Sequence, residues 1–137
     1  VNHKIYSSKV EDLRSEKGTQ VCEFKGVDHG LNTSILFEFF GRENGDSITI
    51  RGKITFEHTL SYWYQHFDYY DYFKVREAYN SVIVIDDSEM IKELNKKWNN
   101  SKESPPFDFV PIHFRLLFDD GPCFDVVAKT YKIEYDK

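Results

Sequence analysis

Cysteine, proline and methionine are scarce in this chain, with two Cys, four Pro and one Met in 137 residues. Cys22 and Cys123 stand far apart with no CxxC or Cys/His spacing, which argues against a disulfide scaffold or a zinc site. Two reduced, packed thiols in a cytoplasm are expected instead. No run of about 18 apolar residues exists, so no membrane span and no membrane partner are expected. The opening residues Val1-Asn2-His3-Lys4-Ile5 lack the apolar stretch of a secretory signal. Also missing are the nucleophile elbow, HExxH, Walker A, the dinucleotide-binding glycines and the EF-hand loop, so no catalytic residue, metal centre or cofactor is called. Positive charge is in deficit too: 18 Lys and Arg face 23 Asp and Glu, a formal net of −5. Sequence-independent contact with a phosphate backbone runs on clustered cations, so nucleic acid is excluded and a basic protein partner suits the chain better.

What is present is globular. A hydrophobic fraction of 40% with 17% aromatic residues gives enough apolar surface to fold one domain, spanning residues 1–137. The first eighteen residues are polar, with Val10 and Leu13 the only spaced apolar positions. They read as an arm or short helix that would need tertiary help to be ordered.

Strand signals follow. Gln20 to Lys25 alternates and stops at Gly26, ahead of a turn at Asp28-His29-Gly30. Ser34 to Phe40 is apolar on both faces, as in a central strand. After the turn-rich Gly41–Asp46 segment, Ser47 to Glu57 alternates most clearly, with Ile48, Ile50, Gly52, Ile54 and Phe56 opposed to Thr49, Arg51, Lys53, Thr55 and Glu57. Gly52 in mid-strand marks a bulge or a ring packed on bare backbone. Ser81 to Ile85 is a short all-apolar strand. Asp86-Asp87-Ser88-Glu89 then supplies N-cap candidates for a helix with Met90, Ile91, Leu94 and Trp98 on one side through Asn99. A polar loop runs to Pro105-Pro106. Val110, Ile112, Phe114, Leu116 and Phe118 share an inward face, Asp119-Asp120-Gly121-Pro122 turns, and Cys123 to Tyr135 returns. Five or six strands with one clear helix give an α+β fold with a mainly antiparallel sheet, a sandwich or partly closed barrel being the competitor.

The densest feature is Tyr62 to Phe73, with eight aromatic rings in twelve positions and no Lys or Arg. One element cannot hide so many rings on one face, so some are expected at a surface, unless the segment is the bulky core of a small β domain. Tyr62, Trp63, Tyr64, Asp68, Tyr69, Tyr70, Asp71 and Tyr72 are therefore the candidate partner-binding residues. Rings interleaved with carboxylates suit cationic side chains, sugars or quaternary ammonium groups. His66 and Asp68 would share a face of a strand, and with Asp71 they are the candidates for a ligand or metal. His113 and Arg115, on the outward face of their strand near Asp119-Asp120, are read as a solvated strand face before an anion or acid-base site. Asp86-Asp87 is read as helix capping.

The hairpin His113-Phe114-Arg115-Leu116-Leu117-Phe118-Asp119-Asp120-Gly121-Pro122-Cys123-Phe124-Asp125-Val126-Val127-Ala128-Lys129 resembles hairpins of small acidic bacterial domains, among them immunity proteins of polymorphic toxin systems. The likeness covers residues 111–129. It implies a non-enzymatic protein that occludes a toxin's active site, its carboxylates meeting the toxin's basic groups. Two other readings stand beside it. One is a small-ligand, sugar-binding or metal-dependent enzymatic domain around His66, Asp68 and Asp71, and the other is a homodimer built on the aromatic segment.

Overall fold

The alternation from Ile48 to Glu57 makes one arm of a long hairpin, and the other strands are laid against it. A computed structural model describes residues 7–12, 17–25, 31–65, 78, 81–101, 107–118 and 123–136. Within them, seven strands form one antiparallel sheet: β1 (Ser7–Asp12), β2 (Lys17–Lys25), β3 (Thr33–Glu43), β4 (Asp46–Gln65), β5 (Ser81–Ile85), β6 (Ile112–Leu117) and β7 (Cys123–Asp136). Their order is β1-β5-β6-β7-β4-β3-β2, and the helix α1 (Glu89–Ser101) joins β5 to β6. The fold is α+β with a mainly antiparallel sheet, as expected. The sheet is open, with β1 and β2 at its edges, and not a closed barrel.

Three details differ from the sequence reading. Ser7–Asp12 is an edge strand, paired with β5 from Ser7 opposite Ile85 to Asp12 opposite Ser81. The all-apolar β5 offers its ladder, and the polar segment is ordered by that pairing. β4 does not end near Glu57 but continues to Gln65, paired along that stretch with β7. Val110, expected on the inward face of β6, is 84% exposed; β6 begins only after Pro111, which has no N–H to give a ladder.

The β3–β4 hairpin turns on Asn44-Gly45, both with positive φ (53° and 83°), between the paired Glu43 and Asp46. That is the type I′ geometry whose twist matches its flanking strands. Midway along the hairpin, Phe37 lies opposite Gly52 without a register break, so Gly52 marks ring packing and not a bulge. A Cβ built there would overlap Cζ of Phe37 and lie 2.7 and 2.8 Å from its Cε2 and Cε1. On the other side Gly52 pairs with Tyr135, whose ring meets that of Phe37 edge-on at 6.1 Å.

One face of the sheet carries the core: Ile35, Phe37 and Phe39 of β3, Ile54 and Phe56 of β4, Phe124, Val126 and Ala128 of β7, Phe114 and Leu116 of β6, and Val82 of β5. The sheet curls around this face. Phe37 and Phe118 meet at 5.6 Å between ring centroids, although three strand spacings of about 4.8 Å separate β3 from β6 in a flat sheet. A bulge between Thr59 and Ser61 shifts the register of β4 on β7 by one residue. The core-facing residues of β7 also change, from Tyr131, Ile133 and Tyr135 to Phe124, Val126 and Ala128, and they do so opposite Phe56–Thr59, ahead of that bulge. Just before it, His58 adopts a positive φ of 55°. The His58 N–H donates to Asn32 Oδ1 at 3.3 Å and the Thr59 N–H to the Leu31 carbonyl at 2.6 Å, so this departure of β4 from β3 is anchored.

Gly52→Ala should destabilise the fold by about 1–3 kcal/mol through overpacking against a buried ring. Chemical denaturation measures it, and Phe37→Leu in the same chain should recover part of the loss; a neutral Gly52→Ala would show that the ring yields freely.

Candidate functional site

The site is built on the face of the sheet opposite the core, where α1 crosses. The helix starts at Ser88, whose hydroxyl oxygen accepts the Ile91 N–H at 3.2 Å, the bond expected of an N-cap. The same oxygen lies 2.6 Å from His113 Nδ1 on β6. His113 Nε2 is in turn 2.6 Å from Asp125 Oδ1 on β7, and Arg115 Nε donates to that oxygen at 2.7 Å. A carboxylate only accepts, so Nε2 carries a proton toward Asp125. Since Ser88 Oγ already accepts from Ile91, its own hydrogen is free to go to Nδ1. With Nε2–H toward Asp125 and the Ser88 hydrogen toward Nδ1, each of these contacts between Ser88, His113, Asp125 and Arg115 has a donor and an acceptor.

Ser88, His113 and Asp125 are buried. Burial alone would raise the Asp125 carboxyl, but the His113 hydrogen bond and the Arg115 guanidinium outweigh it and hold the group below the usual carboxylate range. Next to it, burial and then the Asp125 charge push the Cys123 thiol up to about 12, against a smaller opposing effect of Arg115. Cys123 is thus a packed, inert thiol, as its spacing suggested.

Register explains why these residues meet. Arg115 faces Asp125 across the β6–β7 hairpin, Ile83 faces Arg115 from β5, and Trp63 faces Asp125 from β4. The row Ile83, Arg115, Asp125, Trp63 therefore crosses four strands on the helix side. Above it, α1 buries none of its side chains fully between Glu89 and Asn99. The gap between helix and sheet is a cleft of about 880 Å³, lined among the described residues by Trp63, Asp86, Glu93, Leu94, Lys97 and Arg115, among others.

Of the residues singled out in the sequence, Tyr62, Trp63 and Tyr64 lie on the end of β4, 42%, 58% and 50% exposed. The Tyr64 ring leans on Phe124 at 5.2 Å, while Trp63 points to the cleft side. This part of the aromatic segment is surface. His66, Asp68, Tyr69, Tyr70, Asp71 and Tyr72 lie outside the described residues, as do Asp119 and Asp120. His113 and Arg115 were expected on a solvated face and are instead covered, His113 fully, because α1 crosses there. Their carboxylate partner is Asp125; closing the hairpin directly on Asp119–Pro122, with Phe118 opposite Cys123, would have put Val126 opposite Arg115, and the observed pairing of Leu117 with Cys123 brings Asp125 there instead. Ser88 was among the cap candidates; its bond to His113 had no signal in the sequence.

Asp125→Asn should cost about 3–5 kcal/mol at pH 7, because it leaves Arg115 without its buried counter-charge. Since the Asp125 carboxyl is held low in the fold, its contribution is present above the unfolded value of about 4 and is lost as pH falls further. The gap between wild type and Asp125→Asn in denaturant titrations should therefore close below about pH 4; a gap constant with pH would contradict the ionised pair. In a Cys22→Ser background, Cys123 should resist thiol reagents at pH 8 in the folded protein and react on unfolding. No protein-family model, curated protein or solved structure matches this chain, and the function is argued from the chemistry of the cleft.

Proposed function

We propose that this chain is a non-enzymatic binding protein that docks a cationic protein partner at the end of β4 and in the cleft beside α1, and that neutralisation of a toxin is the biological form of that role. The observation that carries it is the exposed Trp63, which forms one wall of a cleft whose other wall brings Asp86, Asp87, Glu89 and Glu93. Lys92 engages Asp87 and Glu89 at 2.8 and 3.3 Å, which leaves Asp86 and Glu93 to face Lys97. Arg115 and Asp125 cancel each other. A cleft of that balance, with an indole in it, favours a Lys or Arg side chain through both ring and carboxylate. Tyr62 and Tyr64, exposed on the other face of the same strand end, add aromatic anchors of the kind that dominate interfaces to a partner that wraps the end of β4.

Hydrolysis by Ser88, His113 and Asp125 fits less well. The Ser88 hydroxyl is buried and already receives the Ile91 N–H, so a substrate carbonyl has no approach to it. A ligand or metal site at His66, Asp68 and Asp71 rests on residues outside the described set and gains no support.

Trp63→Ala, at an exposed position, should leave the denaturation midpoint within about 0.5 kcal/mol of wild type and weaken partner binding at least tenfold. Association should also slow as salt rises. The measurement is surface plasmon resonance against the product of the neighbouring gene, or against a basic protein captured from the source cells. Unchanged binding by Trp63→Ala would remove the cleft from the interface.

A further inference from the structure

Arg115 is held unusually firmly for a residue that lines a cleft. Its side chain is 16% exposed and its guanidinium is tied through Nε to Asp125, which is tied to His113, which is tied to the Ser88 cap of α1. Among the described residues Arg115 pairs with Asp125 alone. A guanidinium carries five N–H donors in a fixed fork, so the far edge of this one has donors with no acceptor among the described residues. Those donors are not sealed in: the only buried, unpartnered side-chain polar atom among the described residues is Thr33 Oγ1. They open on the cleft that Arg115 lines.

From this we infer that Arg115 is the specificity-determining donor of the cleft, and that it takes a carbonyl oxygen of the partner's backbone while the acidic wall takes the adjoining basic side chain. The inference rests on the cationic-partner reading above and names what the cleft reads: a Lys or Arg presented in an extended segment, with its own peptide carbonyl. The acceptor is neutral and not a carboxylate. Asp125 already supplies one negative charge to Arg115, and Asp86 and Glu93 add two more in the same cleft against Lys97, so a second anion is repelled while a carbonyl is not. Three anchored bonds behind Arg115 remove the rotamer entropy that a free Arg would lose on binding, which lets one hydrogen bond discriminate. Trp63, one strand beyond Asp125 in the same row, offers its ring to the aliphatic stem or cationic head of the bound side chain.

The test uses the full chain labelled with ¹⁵N and two probes, N-acetyl-L-argininamide, which has the cation and two amide carbonyls, and guanidinium chloride, which has the cation only. N-acetyl-L-argininamide should shift the Arg115 Nε–H and Trp63 indole N–H resonances saturably. Guanidinium chloride, at the same ionic strength, should move the Asp86 and Glu93 backbone amides and leave Arg115 Nε–H in place. Arg115→Met alone would strand Asp125, so the variant carries Arg115→Met with Asp125→Asn, keeping the buried site neutral; it should bind N-acetyl-L-argininamide about tenfold more weakly while retaining its response to guanidinium. Equal affinity in that variant, or an equal Arg115 shift with both probes, overturns the carbonyl role and leaves the cationic reading standing. Silence with both probes refutes the inference together with the cationic reading of the cleft.

Discussion

A carboxylate buried between a helix and a sheet survives only if its partners are fixed in place, and the Asp125 carboxylate organises everything on the helix side of this molecule. It draws one donor from His113 and one from Arg115, both on β6. Through His113 it reaches the residue that caps α1. The helix otherwise sits lightly on the sheet, with Met90, Ile91, Leu94 and Trp98 only half-buried. Its position is therefore set more by this polar chain than by apolar packing, and the cleft beneath it exists because the chain holds one end of the helix while the rest stands off. A buried network of this kind is strong when complete and costly when broken, which suits a part whose geometry matters more than its contribution to stability.

The bulge in β4 is the second constraint. Had the register of Thr59 with Ala128 run on unbroken, Trp63 would lie opposite Phe124, a core residue, instead of Asp125. The one-residue slip delivers the indole to the cleft. The exposure of Tyr62 and Tyr64 has a different origin: they lie on the core side of the strand, but at the end of the sheet, where the core thins. The ring-dense stretch thus divides its described aromatics between two faces.

How far the fold was legible depended on whether a residue's neighbours were local. The clean alternation of Ile48 to Glu57, the apolar run of β5 and the helical spacing of Met90, Ile91, Leu94 and Trp98 each reflect one element's own face, and each was readable. β1 was not, because its residues carry no pattern and its order comes from β5. Nor was the far half of β4, since rings on both faces erase the period that marks a strand. In the site, His113 and Arg115 stood out by type. Alternation placed them correctly away from the core, yet it could not show that a helix covers that side. Asp125 sat in the same hairpin, but a turn at Asp119–Pro122 alone pairs Arg115 with Val126, and the one-residue difference in register that brings Asp125 there is not marked in the sequence; the bond from Ser88 to His113 joins two elements that only the folded chain brings together.

The Asn44-Gly45 turn bears on the order of assembly. It closes a hairpin of eleven paired positions from Thr33 to Glu43 within one continuous segment, and hairpins of this kind form in about 1–10 μs. β4 must instead find β7 across most of the remaining chain, pairing Arg51 with Asp136 and Gln65 with Cys123, and such distant contacts close slowly. Phe37 and Gly52 belong to the early hairpin. Trp63, Asp125, Arg115 and Ser88 come from four elements and meet only when the last pairings are made. The cleft is in this sense a report on completed folding: a chain that has formed its hairpin but not its full sheet has no cleft.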